Sequence, residues 1–275
     1  MNLLLLKLRT DRSAQVALLL ISLYAVVSLL AGLGLLPGDP ELRVGPRFQS
    51  PGPGHWLGTD RQGRDILIRT LHSTQVAFLV GVISAAWGVA FGAVLGGVAG
   101  YFGGKWDQAI VWLYSTIESI PSILLLVAVT YLAGRGLLGV YLAFFATFWV
   151  GPCRTIRAEV LRLRDADHVQ AARVLGFPPR RVLLRHVLPQ TAHLALVQFA
   201  LLFVGAVKSE VILSYLGLGV QGQPSWGIMI NQARAELING FGWQIGAASV
   251  ATFGLVLAFN VLAGAFEDAL QGEPR

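Results

Sequence analysis

The sequence predicts an all-α membrane protein with about six transmembrane helices. Three observations carry this. Of its 275 residues, 55% are hydrophobic and 13% charged. The mean hydropathy is +0.63. Apolar runs close to the ~20 residues needed to cross a bilayer recur along the chain. In lipid every backbone N–H and C=O must pair within its own segment, so an open-ended spanning element is a helix. A chain of this size makes one membrane domain, assigned to residues 14–270, with a short N-terminal segment, 1–13, and a tail, 271–275.

The first run, Ala14–Leu36, is too long for a signal-peptide core and lacks a small-residue cleavage pattern, so it is expected to remain as a helix. An external loop, 37–75, follows. In it Thr59 and Gln62 read as a capping box that starts a helix at Asp60. Asp60–Arg64 and Asp65–Arg69 would then be i,i+4 pairs on that helix. Thr59, Asp60, Arg64 and Asp65 form either a self-satisfied surface or a contact for an external partner. The second run, Val76–Gly100, places Gly88, Gly92, Gly96 and Gly100 at intervals of four. One face thus carries no side chains and invites close helix packing; the neighbour lies either in this chain or in a partner.

The third run, Ala109–Ala133, contains Glu118 near its middle, three residues before Pro121, which should bend it. The fourth, Leu137–Gly151, is short and must be tilted or extended. Leu194–Leu213 and Trp243–Ala265 complete the set, separated by an external loop, 214–242. Charged or polar groups inside such segments are expensive and default to a functional reading. Glu118, Glu210 and Asn260 are therefore pathway candidates. Lys208 lies two residues from Glu210, on a different helix face. For both, snorkelling to the outer interface is the plainer alternative.

Between the fourth and fifth runs lies a loop, 152–193, that holds eight arginines: Arg154, Arg157, Arg162, Arg164, Arg173, Arg180, Arg181 and Arg185. Such a basic loop beside lipid marks the cytoplasmic face. It predicts two short helices with a hinge. His168–Leu175 has Val169, Ala172 and Leu175 on one face, and Gly176 suits the residue after its end. Pro178 suits the first position of the second helix, whose apolar side is Val182, Leu183 and Val187, and Pro189 should stop it. The segment is either a solvated loop or a docking element.

The loop's residues Gln170-Ala171-Ala172, Gly176, His186 and Leu188-Pro189 keep the order and spacing of the EAA loop, and it resembles that of ABC-transporter permeases. The departure is Gln170, where the family carries glutamate: size is kept and charge is lost. His55–Asp65 is similar to the signature after the first helix of the dipeptide, oligopeptide and nickel permeases. Ser214–Val220 with Pro224–Gly227, and Leu257–Asn260 with Asp268, resemble later motifs of that family. Gly264 and Glu267 depart from it. The resemblance implies uptake of a dipeptide, oligopeptide, nickel or other chelate. It implies two ATPase subunits that bind ATP and Mg, a second related permease chain, an extracytoplasmic solute-binding protein, and a bacterial or archaeal inner membrane. The resemblance makes Gln170, Ala171, Ala172, Gly176, His186, Leu188 and Pro189 the ATPase-coupling residues, with the short helix around Gln170–Leu175 in a groove on the ATPase and Ala172 against it. A proton-driven transporter using Glu118 or Glu210, or a structural subunit without a pathway, are the competing classes.

Other chemistry is not written into the chain. No Gly-x-x-x-x-Gly-Lys-Ser/Thr loop occurs, so neither ATP binding nor any other cofactor is expected here. Cys153 is the single cysteine and reads as a small core residue. The five histidines are scattered, and no metal site is expected. The net charge of +6 is explained by basic loops beside the membrane rather than by nucleic acid. Six spans with the arginine loop inside put both termini in the cytoplasm. Thirteen cationic residues then fall inside and seven outside, in the direction of the positive-inside rule.

Overall fold

Asp11 opens the first helix, its carboxylate accepting from the Ser13 backbone N–H. The computed structural model describes residues 11–271. The N-terminal segment to residue 10, the tail from residue 272, and with them Lys7, Arg9 and Arg275, lie outside the described residues. Five helical stretches among the described residues are long and apolar enough to cross a membrane, and a sixth passes only as a bent pair. Among the described residues, β-structure is confined to isolated bridges such as Arg43–Arg64 and Thr59–Asp65.

Helix α1 (Arg12–Gly32) is followed by a non-helical segment and then by α2 (Ile66–Phe102). The N-cap of α2 is Asp65, which accepts from Ile68 N. The helix expected from Asp60 is therefore corrected: it starts at Ile66, and residues 66–75 are helix rather than loop. Thr59 and Asp60 cannot cap it because their side chains are used elsewhere. Thr59 Oγ1 donates to Pro46 O at 2.6 Å, and Asp60 accepts from Gln62 N at 2.7 Å and from Arg64 N at 2.9 Å. At 37 residues, α2 is about 56 Å long by helical rise, well beyond a hydrocarbon core of about 30 Å.

The third span is broken rather than bent. Helices α3 (Gly104–Glu118) and α4 (Ser122–Ala133) meet at 90°. Pro121 has no N–H to donate and disfavours helical geometry at Ile120. Glu118 thus ends a helix instead of lying mid-span. The short fourth run proves to be extended: α5 (Leu137–Thr147) leads into α6 (Val150–Leu163). Pro152 falls in the first turn of α6, where a missing N–H costs nothing. Arg154, Arg157 and Arg162 consequently ride on a helix, and the loop proper begins near Arg164.

Two short helices follow, α7 (Asp167–Val174) and α8 (Pro179–Val182). Pro178 is the N-cap of α8 and Pro179 its first residue, one position later than expected. Pro189 does not stop the chain. A π turn (Leu183–Val187) and a 3-10 turn (Leu188–Thr191) carry it into α9 (Ala192–Tyr215) as one helical stretch. The widened turn absorbs the ring and the lost donor, a usual way for a helix to pass proline. Helices α10 (Trp226–Ile238) and α11 (Trp243–Gln271) complete the chain.

The glycine stripe finds its neighbour inside this chain. A Cβ added to Gly92 would lie 2.6 Å from Trp149 O, one on Gly96 2.4 Å from Cys153 O, and one on Gly100 2.8 Å from Arg157 O. Gly88 meets Phe148 O in the same way, at 2.9 Å. Thus α2 and α6 touch backbone to backbone. Cys153 is fully buried beside this contact. Further out, Phe203 of α9 fills the notch left by Gly81 and stacks on Phe259 of α11, ring centroids 3.6 Å apart.

Replacing Gly96 with leucine should therefore cost more than the ~1–3 kcal/mol typical of overpacking, because the clash is with backbone. Thermal unfolding in detergent checks this: Gly96→Leu is expected to lower Tm or abolish recovery. Gly246→Leu, where nothing lies within 4 Å of the added Cβ, is expected to behave like the parent.

Candidate functional site

The loop joining α6 to α9 folds as a small module with its own core. Val169, Ala172, Val182, Leu183 and Val187 are buried together with Tyr101 of α2 and Ile156, Val160 and Leu163 of α6. The module is thus packed onto the C-terminal ends of two spanning helices. Arg173 adds a cation–π contact over Tyr101 at 4.9 Å. Leu188 sits against Gly97.

The end of α7 explains what the module exposes. Gly176 N donates to Arg173 O and Phe177 N to Ala172 O, the paired bonds of a Schellman termination. Gly176 takes φ +80°, which only glycine adopts without strain. This turn rolls Leu175 off the buried face on which periodicity placed it. Val174 is 88% exposed and Leu175 75%. The expected contact face is corrected accordingly: Ala172 is buried in this chain's own core and is not free to touch a partner. Gln170 and Ala171 are exposed beside the apolar pair. Gln170 Nε2 donates to Arg164 O at 3.4 Å, a weak local bond. His186 is half-buried, Pro189 exposed, and Gln190 Nε2 lies 2.6 Å from His168 Nε2, joining α7 to the turn before α9.

Two ion pairs tie the neighbouring spans, and neither was legible beforehand. Arg157 holds Asp107 of α3 through two hydrogen bonds, one at 2.8 Å. Arg154 donates to both oxygens of Glu118, at 3.1 and 3.3 Å. Glu118 is thus paired with a loop-side arginine at the broken span. No periodicity signals such a pair, because its partners lie 36 residues apart.

The external signature builds something different from a contact surface. Asp60 is fully buried and accepts from Arg64 Nε at 2.7 Å and Arg69 Nη1 at 2.8 Å. Gln232 of α10 accepts from both arginines at 3.0 Å. Glu41 pairs with Arg64, and Glu236 of α10 accepts from Arg61 N at 3.0 Å. Burial holds the Glu236 carboxyl above the usual carboxylate range, against the lowering effect of that N–H. Asp60–Arg64 is the expected pair, in a turn instead of a helix. Asp65 pairs with His55 at 2.8 Å, not with Arg69. Thr59, Asp60, Arg64 and Asp65 are all buried and not exposed to a partner: Asp60 and Arg64 hold the segment to α10 through Gln232, while Thr59 and Asp65 bond within the segment itself, to Pro46 and His55.

Glu210 is fully buried, and its Oε1 accepts from Ser214 Oγ at 2.6 Å. Ser214 Oγ accepts in turn from Val220 N at 3.3 Å. The acid therefore reaches the turn after α9 through one hydroxyl. Asn260 is exposed on α11, its amide bonded to Val256 O at 2.9 Å. The structure does not bring Glu118, Glu210 and Asn260 into mutual contact.

A family model described as the binding-protein-dependent transport system inner membrane component matches residues 88–272. The match begins at the first stripe glycine and covers the module between α6 and α9. The chain belongs to this family. It is an ABC permease of the dipeptide, oligopeptide and nickel group. Over 226 residues it is 33% identical to the dipeptide transport system permease protein DppC of Bacillus subtilis, covering 82% of this chain and 71% of that one. It is 35% identical over 272 residues to the glutathione transport system permease protein GsiD of Escherichia coli O157:H7, covering 96% and 88%. The oligopeptide permease OppC of Bacillus subtilis is 29% identical over 275 residues, covering 98% and 88%. Permeases of this family are transport subunits of the inner membrane.

Two substitutions test the external side. Asp60→Ala leaves two buried guanidiniums without their buried carboxylate and with only the half-exposed Glu41, a loss that typically costs about 3–5 kcal/mol. The folded yield in detergent should fall sharply, while Glu41→Ala, at a half-exposed position, should cost far less. Glu210→Ala should lower the thermal midpoint, and Glu210→Gln should largely retain it by keeping an acceptor for Ser214. Normal stability of Glu210→Ala with altered transport would place Glu210 in the pathway instead.

Proposed function

We propose that this chain forms half of the membrane pathway of an ATP-driven importer for dipeptides, oligopeptides or a related small peptide. Two ATPase subunits bind ATP and Mg and dock on the module at α7 and α8. A second, homologous permease chain supplies the other half, and an external solute-binding protein delivers the solute. Both termini lie in the cytoplasm. Nickel uptake is the alternative within the same family, but the relatives named above are permeases for peptides or glutathione, which favours the peptide class.

The observation that carries this reading is the exposed Val174–Leu175 pair on a module packed rigidly against α2 and α6. A solvated tether has no reason to bury a core of its own while presenting two adjacent apolar side chains. A docking element needs both features: apolar area to bury against the partner, and a stiff mount to transmit its movement. Closure of the ATPase pair would push α7, and the buried core beneath it would pass that displacement to the inner ends of α2 and α6. The broken third span, tied to α6 through Arg154 and Arg157, would move with them. The two permease chains would then rock between inward- and outward-facing states. Gln170 contributes shape, its weak bond to Arg164 leaving its amide free for the partner.

Val174→Asp combined with Leu175→Asp tests docking directly. The ATPase recovered with affinity-purified permease should fall at least tenfold, about 1.4 kcal/mol in affinity, with the permease level in the membrane unchanged. Undiminished recovery and uptake would overturn the docking role. Gly176→Pro should also abolish coupling, since proline is fixed near φ −65°.

A further inference from the structure

Lys208 stands apart from every contact described so far. It is exposed on α9, and no described side chain pairs with its ammonium. The buried face of α9 carries Val197, Phe203, Val204, Val207 and Glu210. Leu201, Lys208 and Ile212 are exposed, and nothing lies within 4 Å of a Cβ built on Gly205. Positions 201, 205, 208 and 212 follow helical spacing, so they form one uncovered stripe with a cation in it.

A lysine facing lipid at this depth is costly. Its escape is to snorkel, but geometry opposes it here. The helix end nearer to Lys208 is Tyr215, seven residues or about 10 Å away. Each Cα–Cβ bond tilts toward the helix N-terminus, which for α9 is the coupling-module end. The stem of Lys208 therefore starts away from the nearer interface.

The stripe continues into a polar surface. Two turns before Gly205, on the same side, Gln198 donates to Thr155 Oγ1 of α6 at 3.2 Å. The neighbouring Arg154 reaches Glu118 at the break between α3 and α4. Around that break Ser115, Thr116, Ser119 and Ser122 are exposed as well. Irregular, polar backbone at membrane depth is tolerated where it lines a water-filled cavity or is buried in protein, not against lipid. The Arg154–Glu118 pair is internally neutral, and Lys208 adds an uncompensated positive charge.

We infer that the α9 stripe and the α3–α4 break form one wall of the solute path, and that Lys208 binds a carboxylate of the passing solute. This rests on the importer reading above and makes it more specific: Lys208 selects for solutes with a free acid group. An arginine would preserve the charge, and a glutamate would repel the solute.

The assembled transporter in vesicles tests this in two arms. Cys153, the sole native cysteine of this chain, is fully buried, so a Lys208→Cys thiol can be followed in this chain by its mass. An anionic, membrane-impermeant thiosulfonate is expected to modify it at least tenfold faster than a Leu19→Cys thiol on the exposed, apolar side of α1. Modification only by a lipid-soluble maleimide, or by neither reagent, would overturn the position of Lys208 on a wet path. In the second arm, uptake of free-acid dipeptides is compared with that of their C-terminal amides. Lys208→Glu should reduce the acid-to-amide uptake ratio at least tenfold and Lys208→Arg should retain it. An unchanged ratio in Lys208→Glu would overturn the carboxylate assignment. A parent transporter that takes up neither peptide would refute the proposed solute class, and the labelling arm then still supports or overturns the placement of Lys208.

Discussion

The contact between α2 and α6 governs the half of the molecule that carries the loop module. Four glycines remove every side chain from the α2 face that meets the backbone of residues 148–157. Without them the two helices would stand apart by the thickness of a side-chain layer, since interhelical distance is set by the residues at the contact. Close approach brings the C-terminal ends of α2 and α6 together, and the loop module is built on those ends. Tyr101, Ile156, Val160 and Leu163 form the floor on which Val169, Ala172 and Val187 sit. One packed core therefore joins α7 to the spanning helices. Interiors packed this densely transmit strain instead of absorbing it.

The outer half is held by a different force. Asp60, Arg64 and Arg69 are buried as charges, joined to Gln232 of α10. A buried ion network is weak evidence of stability, yet breaking one member is costly because the others are left uncompensated. Its effect here is to fix one geometry: the loop from α1 and the loop from α9 become one external layer. Trp226 reinforces that layer from beneath, donating its indole N–H to Thr70 O at 3.1 Å. Glu210 acts at its edge through Ser214. One end of the protein is thus set by the absence of side chains and the other by charged ones.

Much of this was legible along the chain. The spans, the module with Gly176 at the end of its first helix, the buried Cys153 and the Asp60–Arg64 pair all follow from local pattern, because helix periodicity, capping and close charge pairs act over a few residues. The misreadings share a cause. Thr59 and Gln62 looked like a capping box starting a helix at Asp60, but Pro46 takes the Thr59 hydroxyl and Arg64 and Arg69 take the Asp60 carboxylate. Pro189 looked like a stop, but a π turn accommodates it. Ala172 looked like a contact residue, but Tyr101 and Ile156 cover it.

By itself the sequence determined that the chain must cross a membrane several times as helices, since apolar runs of about 20 residues satisfy their backbone in lipid within the segment itself. Its ordered motifs also carried the resemblance to a permease family. Only the tertiary structure decided which helix the glycine stripe meets, which arginine neutralises Glu118, and that Val174 and Leu175, rather than Ala172, face outward. These are facts about residues tens of positions apart. A glycine stripe states that something can approach closely but not what. Exposure depends on what the rest of the chain has already covered.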